Sequence, residues 1–363
     1  MTAILMLSRY DRLGASSRLR FFDFLPALRA AGFSVTVAPL LDGDYLRAVY
    51  AGRRPDPAAI AAAYLHRVAV LLRAGRHDLV WLEKEALPWL PAGIEAQLLG
   101  RVPYVMDIDD AWFHRYALHR SGVVRRLLGS KLEHLARNAA LVAAGSPYLA
   151  DWARAAGARS VLALPTVLDL ERYPSCAPSA WPDRADGSLT VGWMGTPATR
   201  RYLDLIAGAF ARLGARLGGT LRLRVVGAAD VRIPGVEVVC VPWHEESEVA
   251  ELAGFDVGVM PLPDAPWERG KCGYKLIQYM ACARPVVASP VGVNVDLVTD
   301  GENGFLAADE DAWVEALVRL AADPALRIRL GMAGRRRVEA GYSLQSITPR
   351  LIEAFARAKA WPG

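Results

Sequence analysis

The chain has 363 residues, too long for one ordinary domain, and two domains of about 180 residues each are the expected division. Apolar residues make up 53% and charged residues 22%, a globular composition with material for two cores. A net charge of +5 suits a phosphate-bearing ligand or an anionic surface, but it does not demand nucleic acid, and no basic run interleaved with aromatics occurs. The cysteines Cys176, Cys240, Cys272 and Cys282 are scattered, without metal-ligand spacing, and are expected to be thiols in a reducing compartment. No cofactor and no metal are expected. The chain runs directly into a strand with no leader pattern, and no apolar run reaches membrane-spanning length. A cytoplasmic location is the expectation.

The first expected unit is a strand at 4–8, a loop at 9–16 and a helix to about residue 31. Phe21, Phe24, Leu25 and Leu28 fall on one face of that helix, and Gly32 closes it. Strands follow at 34–40, 79–82, 103–108, 140–144 and 161–164, with helices after Pro57 and over roughly 123–137. Strands alternating with helices of this length indicate a doubly wound parallel sheet. Residues 173–188 lack apolar periodicity and read as a linker. The pattern then restarts, with strands at 189–194, 221–226, 236–241, 255–260 and 284–288. Helices are expected at 199–217, 246–253 and up to about 283, then from 310 to 359 with breaks near Pro324 and Gly341. The turn DGENG occupies 300–304. The expected domains are 1–172, the linker 173–188, a second domain 189–342, and a terminal helix 343–363 packing back on the first domain.

Cations near helix N-termini oppose the helix dipole by a few tenths to about 1 kcal/mol each. Here they occur there repeatedly: Arg18 and Arg20 after Gly14-Ala15-Ser16-Ser17, Arg200 and Arg201 after Gly195-Thr196-Pro197-Ala198-Thr199, and Lys271 and Lys275 around the helix that follows the 255–260 strand. Solvated arginines explain any one of these clusters as well as a ligand does. Three at equivalent topological positions favour a bound polyanion, with small residues letting backbone N–H groups approach phosphate oxygens. None is a GxGxxG or GxxxxGK[ST] loop, so dehydrogenases and P-loop NTPases are disfavoured.

These residues resemble the retaining glycosyltransferases of family 4, also called group 1. The resemblance rests on GASSRLR (14–20), GSPYLADWA (145–153), LPTVLDLERY (164–173), VGWMGTPAT (191–199) and, most specifically, GKCGYKLIQYMACARPVVASPVGVN with its DGENGF sequel. It implies the α/β GT-B fold: two facing Rossmann-like doubly wound parallel-sheet domains with a C-terminal helical segment. It also implies an N-terminal acceptor domain and a C-terminal domain for a nucleotide diphosphate sugar. The family's basic pair falls on Thr196 and Arg201, so one charge is missing and Arg200 or Lys271 is expected to supply it. The family's two glutamates fall on Gly270 and Gln278; either Glu268, two residues before Gly270, takes over the first acid's place, or sugar recognition differs, or the chain is inactive.

Transfer from such a donor builds negative charge on the leaving diphosphate, which preorganised cations and backbone N–H groups stabilise. The expected catalytic residues are Asp109, Asp110, Glu268 and Lys275. The expected donor- and phosphate-binding residues are Gly14, Ser16, Ser17, Arg18, Gly195, Thr196, Thr199, Arg200, Arg201, Lys271 and Gln278. Asp109 and Asp110 are read as orienting the acceptor hydroxyl, with N-capping of the next turn as the structural alternative and a metal role for the DxD at 107–109 as the minority one. Glu83 and Glu85 are similar candidates, or else a solvated strand edge. The expected partners are the nucleotide-sugar donor, a glycan or lipid-linked acceptor, and peripheral membrane contact through the basic, amphipathic 115–137 stretch. The rival readings are a non-catalytic nucleotide-sugar binder and an epimerase of the same fold.

Overall fold

The computed structural model describes residues 2–173, 181 and 187–361. Two compact units result. One holds the chain up to Val167, Gly270–Cys272 and everything from Leu344 on; the other holds Leu168–Arg269 and Gly273–Ser343. All but four residues of the 173–188 linker lie outside the described residues, so its expected character is not addressed by the structure.

The first unit is built on six parallel strands: β1 Thr2–Leu7, β2 Phe33–Val37, β3 Leu79–Glu83, β4 Tyr104–Ile108, β5 Leu141–Ala144 and β6 Val161–Ala163. Their spatial order is β2-β1-β3-β4-β5-β6. The central strands β3, β4 and β5 are buried along their whole length. Burial on both faces is why they read as unbroken apolar runs rather than alternations. The chain leaves β1 toward β2 on one side and returns to β3 on the other. The gap between β1 and β3 is thus the switch point, where open α/β sheets bind ligands.

Helices depart from expectation where local chemistry interrupts them. The single helix expected up to residue 31 is Ala15–Arg20, a 3-10 turn Phe22–Phe24, and Leu25–Ala30. Phe21 leaves helical geometry between them, and Pro26 sits in the first turn of the second helix, where its missing N–H costs nothing. Phe21, Phe24, Leu25 and Leu28 are buried together, as the spacing predicts. The helix expected over 123–137 is likewise two, Gly122–Leu128 and Lys131–Asn138, parted at Gly129 and Ser130. The terminal helix Leu344–Lys359 buries Ile347, Leu351, Ala354 and Phe355 in this unit. There Phe355 meets the Trp81 ring edge-on at 5.1 Å.

The second unit has strands β7 Leu189–Met194, β8 Leu221–Val226, β9 Glu237–Val241, β10 Val257–Met260, β11 Val286–Ala288 and β12 Gly304–Leu306. All pair in parallel in the order β12-β11-β10-β7-β8-β9, so the switch point lies between β7 and β10. β12 follows the DGENG turn directly; three residues are too few to show alternation in the sequence. The helix expected from residue 199 opens instead as 3-10 geometry over Pro197–Ile206, capped by Thr196 and Thr199, and becomes α-helical at Ala207–Leu217.

Candidate functional site

At the first sheet's carboxyl edge, charged side chains are buried and matched to one another. Arg20 donates to both carboxylate oxygens of Asp107, at 2.8 and 3.0 Å, and to the carbonyl of Leu164 at 2.5 Å. Burial lifts Asp107 to a pKa of about 6 even with Arg20 beside it. Ser17 donates to Glu83 at 2.6 Å, and the Arg9 backbone N–H donates to the same oxygen at 2.8 Å. Lys84 pairs with Asp109 at 2.7 Å and with Glu83 at 3.3 Å. Ser16 donates to the other oxygen of Asp109. Burial alone would raise Asp109; Lys84, with Arg20 behind it, outweighs burial and holds the carboxyl below its ordinary value. Asp110 is pushed up by burial, with Lys271 opposing from 3.5 Å.

This edge excludes one of the two alternatives for Glu83 and Glu85 directly. Glu83, Lys84 and Glu85 are buried, not a solvated strand end. Glu85 pairs with buried Lys131 at 2.7 Å and accepts from the Tyr116 hydroxyl and from Trp112 Nε1 at 3.0 Å. Lys131 also holds Glu95 at 2.6 Å, so it does not belong to the exposed basic face expected of 115–137. The next helix, Phe113–Ala117, has Trp112 at its N-cap and no side-chain cap, so the capping role for Asp109 and Asp110 is absent. Asp107 and Asp109 each face a cation. His114 shares a 2.9 Å contact with the Tyr148 hydroxyl, and partial burial lowers its pKa.

Gly270–Cys272 belongs to this unit too. Cys272 donates to the Asp109 carbonyl at 2.5 Å, and burial drives its thiol far up. Gly270 has a physical reason to carry no acid. A Cβ there would stand 2.7 Å from the Ala111 backbone nitrogen and closer still to the Ala111 methyl. Lys271, expected at a phosphate, faces Asp110. Gly14 leaves no room for a side chain beside Tyr10, Ser17 and Arg18 are buried in the helix Ala15–Arg20 that follows, and Ser16 there is half-buried.

The second sheet's edge is more open. Gly195 follows β7 and admits no side chain, since a Cβ would meet the Trp193 ring and lie 2.8 Å from the Thr199 hydroxyl. Thr196 and Thr199 are occupied with each other: the Thr196 N–H donates to Thr199 Oγ1 and the Thr199 hydroxyl donates back to the Thr196 carbonyl, both at 3.1 Å. Arg200 reaches the Asp230 carbonyl at 3.3 Å. Arg201 stands 3.8 Å from Glu268 with its side chain 70% exposed. Glu268 itself is buried and accepts from the Tyr202 hydroxyl at 2.5 Å. The helical segments Pro197–Ile206 after β7 and Pro266–Arg269 after β10 therefore bring Arg201 and Glu268 together across this switch point. Lys275 rests over the Trp193 ring at 4.7 Å. Gln278 is buried and donates to the Tyr173 hydroxyl at 3.4 Å, which in turn donates to Glu248 at 2.8 Å.

Two residues central to these edges, Lys84 and Tyr202, were not singled out from the sequence. Lys84 has φ 62°, a left-handed conformation costing on the order of 1–3 kcal/mol in a non-glycine residue. Nothing local in the sequence signals it. Tyr202 carries a signal in retrospect, as an aromatic with a polar tip directly after the Arg200-Arg201 pair.

Residues 188–323 match the family described as glycosyl transferases group 1. The chain is 30% identical over 196 residues to a D-inositol 3-phosphate glycosyltransferase of Stackebrandtia nassauensis, covering 48% of this chain and 42% of that protein. It is 33% identical over 127 residues to an alpha-maltose-1-phosphate synthase of Mycolicibacterium smegmatis, covering 33% and 31%. The aligned chain thus spans less than half the length of these curated relatives. Among solved structures, a sucrose-phosphate synthase from Thermosynechococcus elongatus superposes with a TM-score of 0.73 at 18% identity, covering 98% of this chain and 99% of that one. HepE of Anabaena, solved with UDP-glucose, gives a TM-score of 0.71 at 17% identity, covering 98% and 100%. The fold is GT-B, with two Rossmann-like parallel-sheet domains, as the sequence implied.

Proposed function

We propose that the chain is a glycosyltransferase, family 4-like, that moves a sugar from a nucleotide diphosphate sugar to a glycan or lipid-linked acceptor with retention at the anomeric carbon. The observation that carries this reading is the meeting of exposed Arg201 with buried Glu268 at the second sheet's switch point, inside the stretch that matches group 1 glycosyl transferases. Arg201, with Arg200 beside it, would take the negative charge growing on the leaving diphosphate. The side-chain-free surface at Gly195 would let the phosphates come close to the backbone. Glu268, oriented by Tyr202, would stand in for the acid that Gly270 cannot carry. HepE was solved with UDP-glucose, which supports a nucleotide-sugar donor.

The test is incubation with a panel of nucleotide diphosphate sugars, scoring released nucleoside diphosphate with and without crude acceptor. Turnover dependent on Glu268 and Arg201 is the expected result. The side-chain-free Gly270 favours one other reading, a non-catalytic nucleotide-sugar binder, for which diphosphates bind and no donor turns over. Peripheral membrane contact through 115–137 belongs to the lipid-linked version. Leu118, Val123 and Leu127 are exposed there beside Arg120 and Arg126. No described helix is long and apolar enough to cross a membrane. Co-sedimentation with anionic vesicles that survives Val123→Ser plus Leu127→Ser would remove this contact.

A further inference from the structure

The helix Pro57–Leu71 of the first unit turns an apolar face to solvent. Its inner face is fully engaged. Tyr64 donates to the Pro88 carbonyl at 3.0 Å, and Arg67 reaches inward to the carbonyls of Ser8 and Ala38 at 2.7 and 2.9 Å. Val68 and Leu71 join the core there. Arg67 is the only charged residue between Pro57 and Leu72, so its burial leaves none for the outer side. A surface helix ordinarily carries its charged and polar residues on that side. Here the outer face is Ala58, Ala61, Ala62, Leu65, Ala69 and Leu72, all exposed, with His66 at its flank. Leu65 and Leu72 are 72% and 71% exposed. A contiguous exposed apolar stripe of this kind marks an interaction surface.

The spacing tells what covers it. These residues recur every three or four positions, the pattern of a seam between two helices. From Ala58 to Leu72 the seam is about 20 Å long. Four of its six residues are alanines. Alanine lets two backbones come close, but it gives a lipid surface little area to immerse, and the helix keeps no cation on its outer side for anionic headgroups.

The seam is also complementary to itself. In an antiparallel pair with a two-fold axis at Leu65, residues equally far from the axis face each other. Ala58 then receives Leu72, Ala61 meets Ala69, and the two Leu65 side chains meet on the axis. Charge agrees with shape. Asp56, the N-cap of this helix, comes about one residue from facing Arg73 of the second copy, at both ends of the pair. Asp56 and Arg73 are both exposed, and neither makes an ion pair among the described residues.

We propose that the outer face of Pro57–Leu71 is the interface of a homodimer, in which two copies of this chain pair antiparallel about a two-fold axis at Leu65. The partner is a second copy because the seam fits itself in both shape and charge. A single helix pair lies at the small end of specific interfaces, so association is weak, about micromolar. The dimer needs neither donor nor acceptor and stands apart from the transferase reading.

The experiment is sedimentation velocity of the full chain from about one to a few hundred micromolar. A dimer that dissociates on dilution is expected. Leu65→Glu sets two like charges against each other at the axis and should weaken association by about tenfold or more. Arg73→Glu should weaken it several-fold by facing Asp56, and adding Asp56→Asn, which removes the repulsion and keeps a good helix cap, should recover part of that loss. Leu65 and Arg73 are exposed, so the diluted variants should keep the wild-type urea midpoint. A wild-type chain that is monomeric throughout, or a dimer indifferent to Leu65→Glu, overturns the proposal. An Arg73→Glu defect that Asp56→Asn does not relieve overturns the antiparallel pairing on which it rests. Binding of a monomeric chain to anionic vesicles, lost in Leu65→Glu, would overturn it in favour of a lipid surface.

Discussion

At the switch point of the first sheet, Glu83, Lys84, Asp107 and Arg20 are buried and joined in short ion pairs. At that of the second, Arg201 lies mostly in solvent and reaches Glu268 only at 3.8 Å. Both sheets are parallel with one switch point, though their strand orders differ, and their charges carry different energies. Buried charges cost several kcal/mol each in desolvation and persist only when matched, so the first edge is rigid and intolerant of losing a partner. Exposed charges contribute little to stability and remain free to meet a ligand. Charge-removing substitutions should therefore damage folding in the first unit and binding in the second.

The sharpest break is Lys84→Met. It leaves Asp109 and Glu83 facing each other's field without their shared cation. Removing one partner of a buried pair costs about 3–5 kcal/mol, to be read as a fall in urea midpoint at unchanged slope. A loss under about 1 kcal/mol would show that the edge is not held by its ion pairs.

Asp109→Asn should cost somewhat less, on the order of 2 kcal/mol, because Lys84 keeps Glu83. The pH dependence gives the sign. A carboxyl held below its ordinary value stabilises the fold above the unfolded pKa of about 3.9 and loses that contribution as pH falls through the lower folded value. The gap between wild type and variant should stay level from pH 7 to about 5 and close below about 4. Asp107, at about 6, works the other way and favours folding as pH falls toward its unfolded value, but it is present in both proteins. Urea titrations of the two proteins across this range check it. A gap that widens on acidification would contradict the Lys84–Asp109 pairing.

Gly270→Ala should cost about 1–2 kcal/mol by overpacking against Ala111. Gly270→Glu, which places a carboxylate at this position, should be worse for stability and give no gain in donor turnover. Equal thermal stability of wild type and Gly270→Ala would mean that the Ala111 backbone yields freely.

The strands were legible because their burial is continuous: runs such as Leu79–Glu83 need no distant information to be read as sheet core. The first unit's charged edge was not. Glu83-Lys84-Glu85 looks like a solvated strand end, and its burial depends on Arg9, Ser17, Asp109 and Lys131, which the chain supplies from four separate segments. Arg9 gave no signal at all, being one arginine in an arginine-rich chain. Lys131 was taken for part of an exposed basic face because helical spacing reports which residues share a face, not what that face meets. Gly270 could be seen as a missing acid, but its cause, the Ala111 backbone, is a contact between remote segments. Arg201 was legible from its charge at the wrong end of a helix, whereas the role of Glu268 came only through resemblance, which places residues by motif where local physics is silent.

Arg201→Ala is the smallest effect expected on the fold and the most informative about the second sheet. The side chain is exposed, its carboxylate partner lies at 3.8 Å and keeps the Tyr202 hydroxyl, so stability should change by less than about 0.5 kcal/mol. Nucleoside diphosphate affinity should nevertheless fall by roughly tenfold, because a charge-assisted contact to phosphate goes with the guanidinium. Arg201→Lys should recover only part of the loss, since an ammonium cannot reproduce the planar fork. Calorimetric titration beside urea unfolding of the same samples separates the two quantities. A variant destabilised by 2 kcal/mol with intact affinity would reverse the contrast, making Arg201 a fold residue like Lys84 and leaving the second edge without its ligand cation.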